Sequence, residues 1–210
     1  MKLLKKVLAA ALAGVLALSV LTGCNNSVAT VTMVDALNDW SKFYGDGITF
    51  EKGNEDLQGQ VNALVKIVDD AGKKIDFKDA KNIYDMYEAV MDDEAAMLKL
   101  KEWAGQFSEA TIDDKNSPLY QYGFADISAT LSASSKNIYY ANELAMTSRD
   151  INAPDEEWNE GERNWDYGSE AVVAVATGEI KGKKYMVALF KTTAVTNPDY
   201  KPNPDKPGKN

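Results

Sequence analysis

Histidine is absent from the 210 residues, and cysteine occurs once, as Cys24. The first absence excludes Ser-His-Asp and Cys-His nucleophilic sites, zinc sites built on imidazole, and imidazole proton transfer. The second excludes a disulfide within the chain, so the folded part must hold together by packing. Any catalysis falls to carboxylates, lysine, tyrosine or serine. A Ser-x-x-Lys pair would work without histidine, but Ala133 stands where that serine belongs before Lys136. No glycine-rich phosphate loop occurs, since Gly178 and Gly182 precede no predicted helix. No Asp-x-Asp-x-Asp-Gly register marks a calcium loop. No internal repeat is present. Arginine is limited to Arg149 and Arg163.

What is present is ordinary globular composition with an acidic balance. Apolar residues make up 45% of the chain, enough for a core. The net charge is −9, and it becomes −12 once Lys2, Lys5 and Lys6 are set aside with residues 1–23. Such a chain is repelled by nucleic acid and anionic lipid, so nucleic acid is not expected as a partner.

Those three lysines open a leader. Val7 to Val20 follows as an apolar run, too short to span a bilayer comfortably. Leu21-Thr22-Gly23-Cys24 closes it. The whole resembles a bacterial lipoprotein signal peptide with its lipobox. The resemblance implies acylation of the Cys24 thiol, cleavage before it, and anchoring by more than one acyl chain. It implies an extracytoplasmic location on the cell membrane. Asn25 and Asn26 stand where an aspartate would resemble an inner-membrane retention signal, so the resemblance fits a Gram-positive outer leaflet or a Gram-negative outer membrane, and the lysine-rich composition resembles Gram-positive surface proteins. Residues 24–31 are expected to be the lipidated cysteine and a short tether, reaching roughly 20 Å at full extension. Residues 32–196 are expected to form a single domain.

Thr32 to Tyr44 has a helical stripe in Met33, Leu37, Trp40 and Tyr44. Thr32 and Asp35 have capping-box spacing, and Gly45 and Gly47 end the helix. Asn54 caps a second helix carrying Leu57, Val61, Leu64, Val65 and Val68, which Gly72 stops. Asp76 is expected to open a third, with Ala80, Ile83, Tyr84, Tyr87 and Met91 on one face. Asp92-Asp93-Glu94 either recaps a fourth helix or lies mid-helix, and Met97, Leu100, Ala104 and Phe107 continue the stripe. These stripes read as core rather than as a cofactor box, and no cofactor is expected.

The period changes after Pro118. Ala125, Ile127, Ala129, Leu131 and Ala133 alternate with polar residues, as in a half-buried strand. Residues 137–146 fit a strand or a helix. Ala171 to Thr177 and Lys184 to Thr192 read as a hairpin joined by Gly178 to Gly182. The predicted class is α+β, with N-terminal helices packed on a C-terminal antiparallel sheet. Asp113-Asp114 reads as a turn. Pro198, Pro202, Pro204 and Pro207 mark residues 197–210 as a disordered tail.

The densest chemistry lies in Pro154 to Gly168, PDEEWNEGERNWDYG. Trp158 and Trp165 could stack on a sugar ring, while Asn159, Arg163, Asp166 and Tyr167 bind its hydroxyls. A pair of the loop's carboxylates could instead act as acid and base on a glycosidic bond. In the opposite reading the tryptophans lid the sheet, the acids stay solvated, and Arg163 neutralises one of them.

Two segments resemble the CAP (SCP-like) secreted domain. Ala36-Leu37-Asn38-Asp39-Trp40 through Gly45 is similar to its opening helix, and Lys184-Tyr185-Met186-Val187-Ala188-Leu189-Phe190 to its terminal strand. The resemblance implies an α/β/α sandwich. That family's cavity uses two histidines, which this chain lacks, so binding is implied over hydrolysis. The expectation is a non-catalytic binding or scaffolding lipoprotein with a glycan or envelope-protein partner. The alternative is a carboxylate-based hydrolase of polysaccharide.

Overall fold

The computed structural model describes residues 26–77, 80–128, 136–159 and 161–202. The leader, Cys24 and the expected strand positions 129–133 lie outside them. The elements are α1 (Asn26–Tyr44), β1 (Thr49–Lys52), α2 (Glu55–Gly72), α3 (Ile83–Asp92) and α4 (Glu94–Ala104). There follow β2 (Leu119–Asp126), α5 (Lys136–Met146), β3 (Arg149–Asp150), β4 (Trp158–Asn159) and β5 (Glu162–Arg163). The chain continues through β6 (Trp165–Tyr167), β7 (Glu170–Ile180), β8 (Lys183–Thr192) and β9 (Ala194–Thr196).

Local chemistry sets several ends. The Asn54 side chain accepts the Leu57 amide, while Glu55 and Asp56 place negative charge at the α2 N-terminus. Asn82 and Asp85 form a reciprocal capping box on α3. Asp93 ends α3 and caps α4 through the Ala96 amide. Lys181 and Gly182 both have positive φ, 49° and 82°. That gives β7 and β8 a two-residue turn of the type that matches strand twist.

Five strands form one mixed sheet in the order β1-β7-β8-β2-β3. β1 runs parallel to β7, and the other pairs are antiparallel. Successive side chains point to opposite faces. Phe124, Ala174, Ala176, Tyr185, Val187 and Leu189 join a core with α2, α3 and α4. Ala125, Val173, Val175, Met186, Ala188 and Phe190 join a second core with α1 and α5. Helices therefore cover both faces, and β8 is buried from Tyr185 to Phe190. A third, smaller core of Ala110, Leu119, Trp165 and Ala194 lies by the two-stranded β6–β9 ribbon.

The α+β class stands, but several details depart from expectation. The sheet is mixed, because N-terminal β1 joins its edge. Residues 26–31, expected as tether, are already helical, so Thr32 and Asp35 lie inside α1 rather than at its start. The buried Thr30 hydroxyl accepts the Val175 amide at 3.1 Å and lies 3.1 Å from Gln58 Oε1, tying α1 to the sheet and α2. α3 starts at Asn82, not Asp76, because Asn82 has the matching Asp85. β2 ends at Asp126, where the alternating pattern was expected to begin. Residues 136–146 are helical. The expected five-residue hairpin loop shrinks to two residues, since Gly178 to Ile180 and Lys183 continue the ladder. The start of the expected disordered tail is held: Asn197 donates to Arg163 O at 2.8 Å, and Asn159 donates to Lys201 O at 2.9 Å.

Candidate functional site

The acidic-aromatic loop folds into a small hairpin, β4–β5, followed by β6 on β9. Gly161 turns the hairpin with φ 88°. The two indoles part company here. Trp165 has 0% exposure and sits in the third core. It presents no surface to a ligand, which corrects its expected role as a contact. Trp158 lies 61% exposed, with its Nε1 donating to Glu156 Oε2 at 3.0 Å.

Arg163 explains the difference. Its guanidinium lies 3.5 Å over the Trp165 ring and 5.0 Å from the Tyr167 ring centre. Its Nε donates to Trp165 O at 2.8 Å, and it pairs with Glu156 at 3.5 Å and Asp166 at 3.8 Å. The arginine is a staple for the loop, and its donors are committed internally. Asp166 accepts the Tyr167 amide. Arg163, Trp165, Asp166 and Tyr167 thus form one stack, while Trp158 and Asn159 stand at the hairpin. Among the described residues no cluster of acids could hold a metal ion.

Tyr167 carries the loop to a cleft of about 150 Å³. Its walls come from distant segments: Trp40 of α1, Phe50 of β1, Ala145 at the end of α5, Tyr167 of β6, and Phe190 of β8. Asp46, Ile48, Gln121 and Ser148 complete much of the rim. The Asn38 amide clasps Phe50 from both sides, donating to its carbonyl at 2.8 Å and accepting its N–H at 2.9 Å. A side chain here satisfies a backbone edge and fixes Phe50, which meets Phe190 edge-on at 6.0 Å. Trp40 Nε1 donates to Asn142 Oδ1 at 3.1 Å, joining α1 to α5. Gly45, with φ 77°, ends α1 and turns the chain toward Asp46. The Ser41 hydroxyl lies 2.5 Å from Asp46 Oδ1 and 2.6 Å from Ile48 O. A Cβ on Gly168 would come within 2.4 Å of Thr193 Oγ1, so the close passage of the β6–β7 link requires glycine.

Behind Tyr167 lies Asp150. The tyrosine hydroxyl donates to its carboxylate, at 3.2 Å from Oδ2. Burial raises the Asp150 pKa above the ordinary carboxylate value, against the pull of Tyr167, Gln121 and Arg163. Burial and the adjacent carboxylate raise that of Tyr167. Asp150 turns toward these partners, and Asp46 is the one carboxylate among the residues lining the cleft. Acid–base hydrolysis needs two such groups facing one space.

Sequence reasoning missed Asp46 and Asp150 and read Trp40 only as core. Asn38 had stood out within a motif, without its role as a clasp. Asp150, two residues into a strand after α5, carried no local signal. Comparison with family models, curated proteins and solved structures returns no match for the chain.

Proposed function

We propose that this chain is a bacterial surface lipoprotein, anchored through Cys24, whose folded domain binds rather than cleaves. The cleft between α1, α5 and the sheet receives an apolar group of an envelope partner. One observation carries this reading: four aromatic side chains, Trp40, Phe50, Tyr167 and Phe190, wall a space of about 150 Å³. Apolar cavities of about that size take up a benzene ring. A mostly apolar pocket with few polar groups is the usual form of a small-ligand site. The single carboxylate favours binding over hydrolysis. The leader supports the extracytoplasmic location, and the described residues contain no helix long and apolar enough to cross a membrane.

A second reading rests on Trp158. Its exposed indole, held by Glu156, is a flat platform suited to a sugar ring. One titration separates the two. Tryptophan emission of the protein is followed with benzyl alcohol, then with peptidoglycan fragments. Saturable quenching by benzyl alcohol is expected in the protein and in Trp158→Phe, and its loss is expected in Ala145→Leu, which narrows the cleft. A response to glycan alone, abolished by Trp158→Phe, would favour the platform. No saturable response to either would overturn both.

A further inference from the structure

Four side-chain donors around the cleft are engaged by protein acceptors. Trp40 Nε1 is spent on Asn142, the Tyr167 hydroxyl on Asp150, and the Ser148 hydroxyl on Ala145 O at 2.8 Å. The Thr192 hydroxyl is spent on Glu170 O at 2.7 Å. Arg163, the nearest arginine in the loop, is locked against Trp165, Glu156 and Asp166. A ligand entering the cleft meets aromatic rings and, among the described lining residues, one carboxylate, Asp46. Ser41 approaches one oxygen of that carboxylate, and among the described residues no cation pairs with it. An anion would be opposed by Asp46.

We infer that the cleft takes a small organic cation, an ammonium on an apolar body about the size of one ring. The assignment rests on the cleft being the binding site, as proposed above. Aromatic rings attract cations through their quadrupoles, most strongly where water is displaced. Asp46 supplies the counter-charge at the mouth. The charge of −12 beyond residue 23 attracts cations to the whole surface and repels anions. The shape admits one ring, so the apolar body is small.

Three probes of one size and different charge test this: benzylammonium, benzyl alcohol and benzoate. Binding to the protein is followed by tryptophan emission and by calorimetry. Benzylammonium is expected to bind about tenfold more tightly than benzyl alcohol, and benzoate not saturably. Asp46→Asn should bring the ammonium to within about threefold of the alcohol. Added salt should erode the ammonium's advantage. Equal binding of ammonium and alcohol, or a preference that survives Asp46→Asn, overturns this assignment and leaves the cleft. Failure of all three probes overturns the cleft together with it.

Discussion

At the residue scale, partners decide fate more than residue type does. Trp158 and Trp165 are the same side chain on one short loop, yet Arg163 seals Trp165 inside while Trp158 faces solvent. The buried Trp165 Nε1 has no hydrogen-bond partner among the described residues, so this indole contributes by shape and ring contact. Asp150 is the other telling residue. Its pKa is raised by burial, so the folded state holds its proton more tightly than the unfolded chain does. Its contribution to stability is therefore complete below the ordinary value and falls as pH rises through the raised one. Asp69, desolvated beside Tyr185, acts in the same direction, whereas Asp85 and Asp113 have lowered pKa values and act oppositely. The wild-type curve mixes these effects. The difference between wild type and Asp150→Asn isolates one of them. Urea unfolding from about pH 3 to about pH 7 should show the variant gaining on wild type as pH rises, then levelling. A difference that does not vary with pH would remove Asp150 from the account.

At the scale of elements, the α2 cap was legible, while the start of α3 and the strand ends were not. Asn54 announces α2 because a cap is a contact between neighbours in sequence, and the structure resolves the open reading of Asp92-Asp93-Glu94 as an Asp93 cap on α4. Residues 137–146 fit either period, and the choice was made by β2. A Cβ on Gly123 would fall 2.0 Å from Leu144 O, so α5 lies directly on the strand. Thr147 stitches the two, its hydroxyl accepting the Phe124 amide at 2.7 Å. Gly123→Ala must force α5 off the sheet and is expected to cost about 3 kcal/mol or more. Because Ala145 and Ser148 belong to the cleft, ring-probe affinity should fall with it. Gly59 is the control. It lies exposed within α2 with nothing within 4 Å of an added Cβ. Gly59→Ala should stabilise by about 0.5–1 kcal/mol. Chemical melts of the two variants check both signs.

At the scale of the molecule, two cores on opposite faces of one sheet replace the stabilisation that disulfides supply in many small exported domains. The start of α1 at Asn26 changes the geometry expected of an anchored domain. The proposed lipid on Cys24 would lie two residues before α1 and leave little slack between membrane and fold. Cys24→Ser is expected to move the protein from the membrane and detergent phase to the aqueous phase, with its thermal midpoint unchanged. Phase partitioning and a melt of the soluble fraction test this. Retention of the serine variant in the membrane would overturn the lipid-anchor proposal.

The sequence by itself determined the α+β class, the cap of α2, the β7–β8 pair and the chemistry open to a chain without histidine. These depend on composition, or on residues a few positions apart, so they are local. Only the tertiary structure decided which tryptophan is buried, which carboxyl group is desolvated, and that a cleft exists at all. Its walls, Trp40, Phe50, Tyr167 and Phe190, meet only after β1 joins β7, β8 pairs with β7, and β6 pairs with β9. Burial and electrostatic environment are properties of that meeting, and no single segment of the chain contains them.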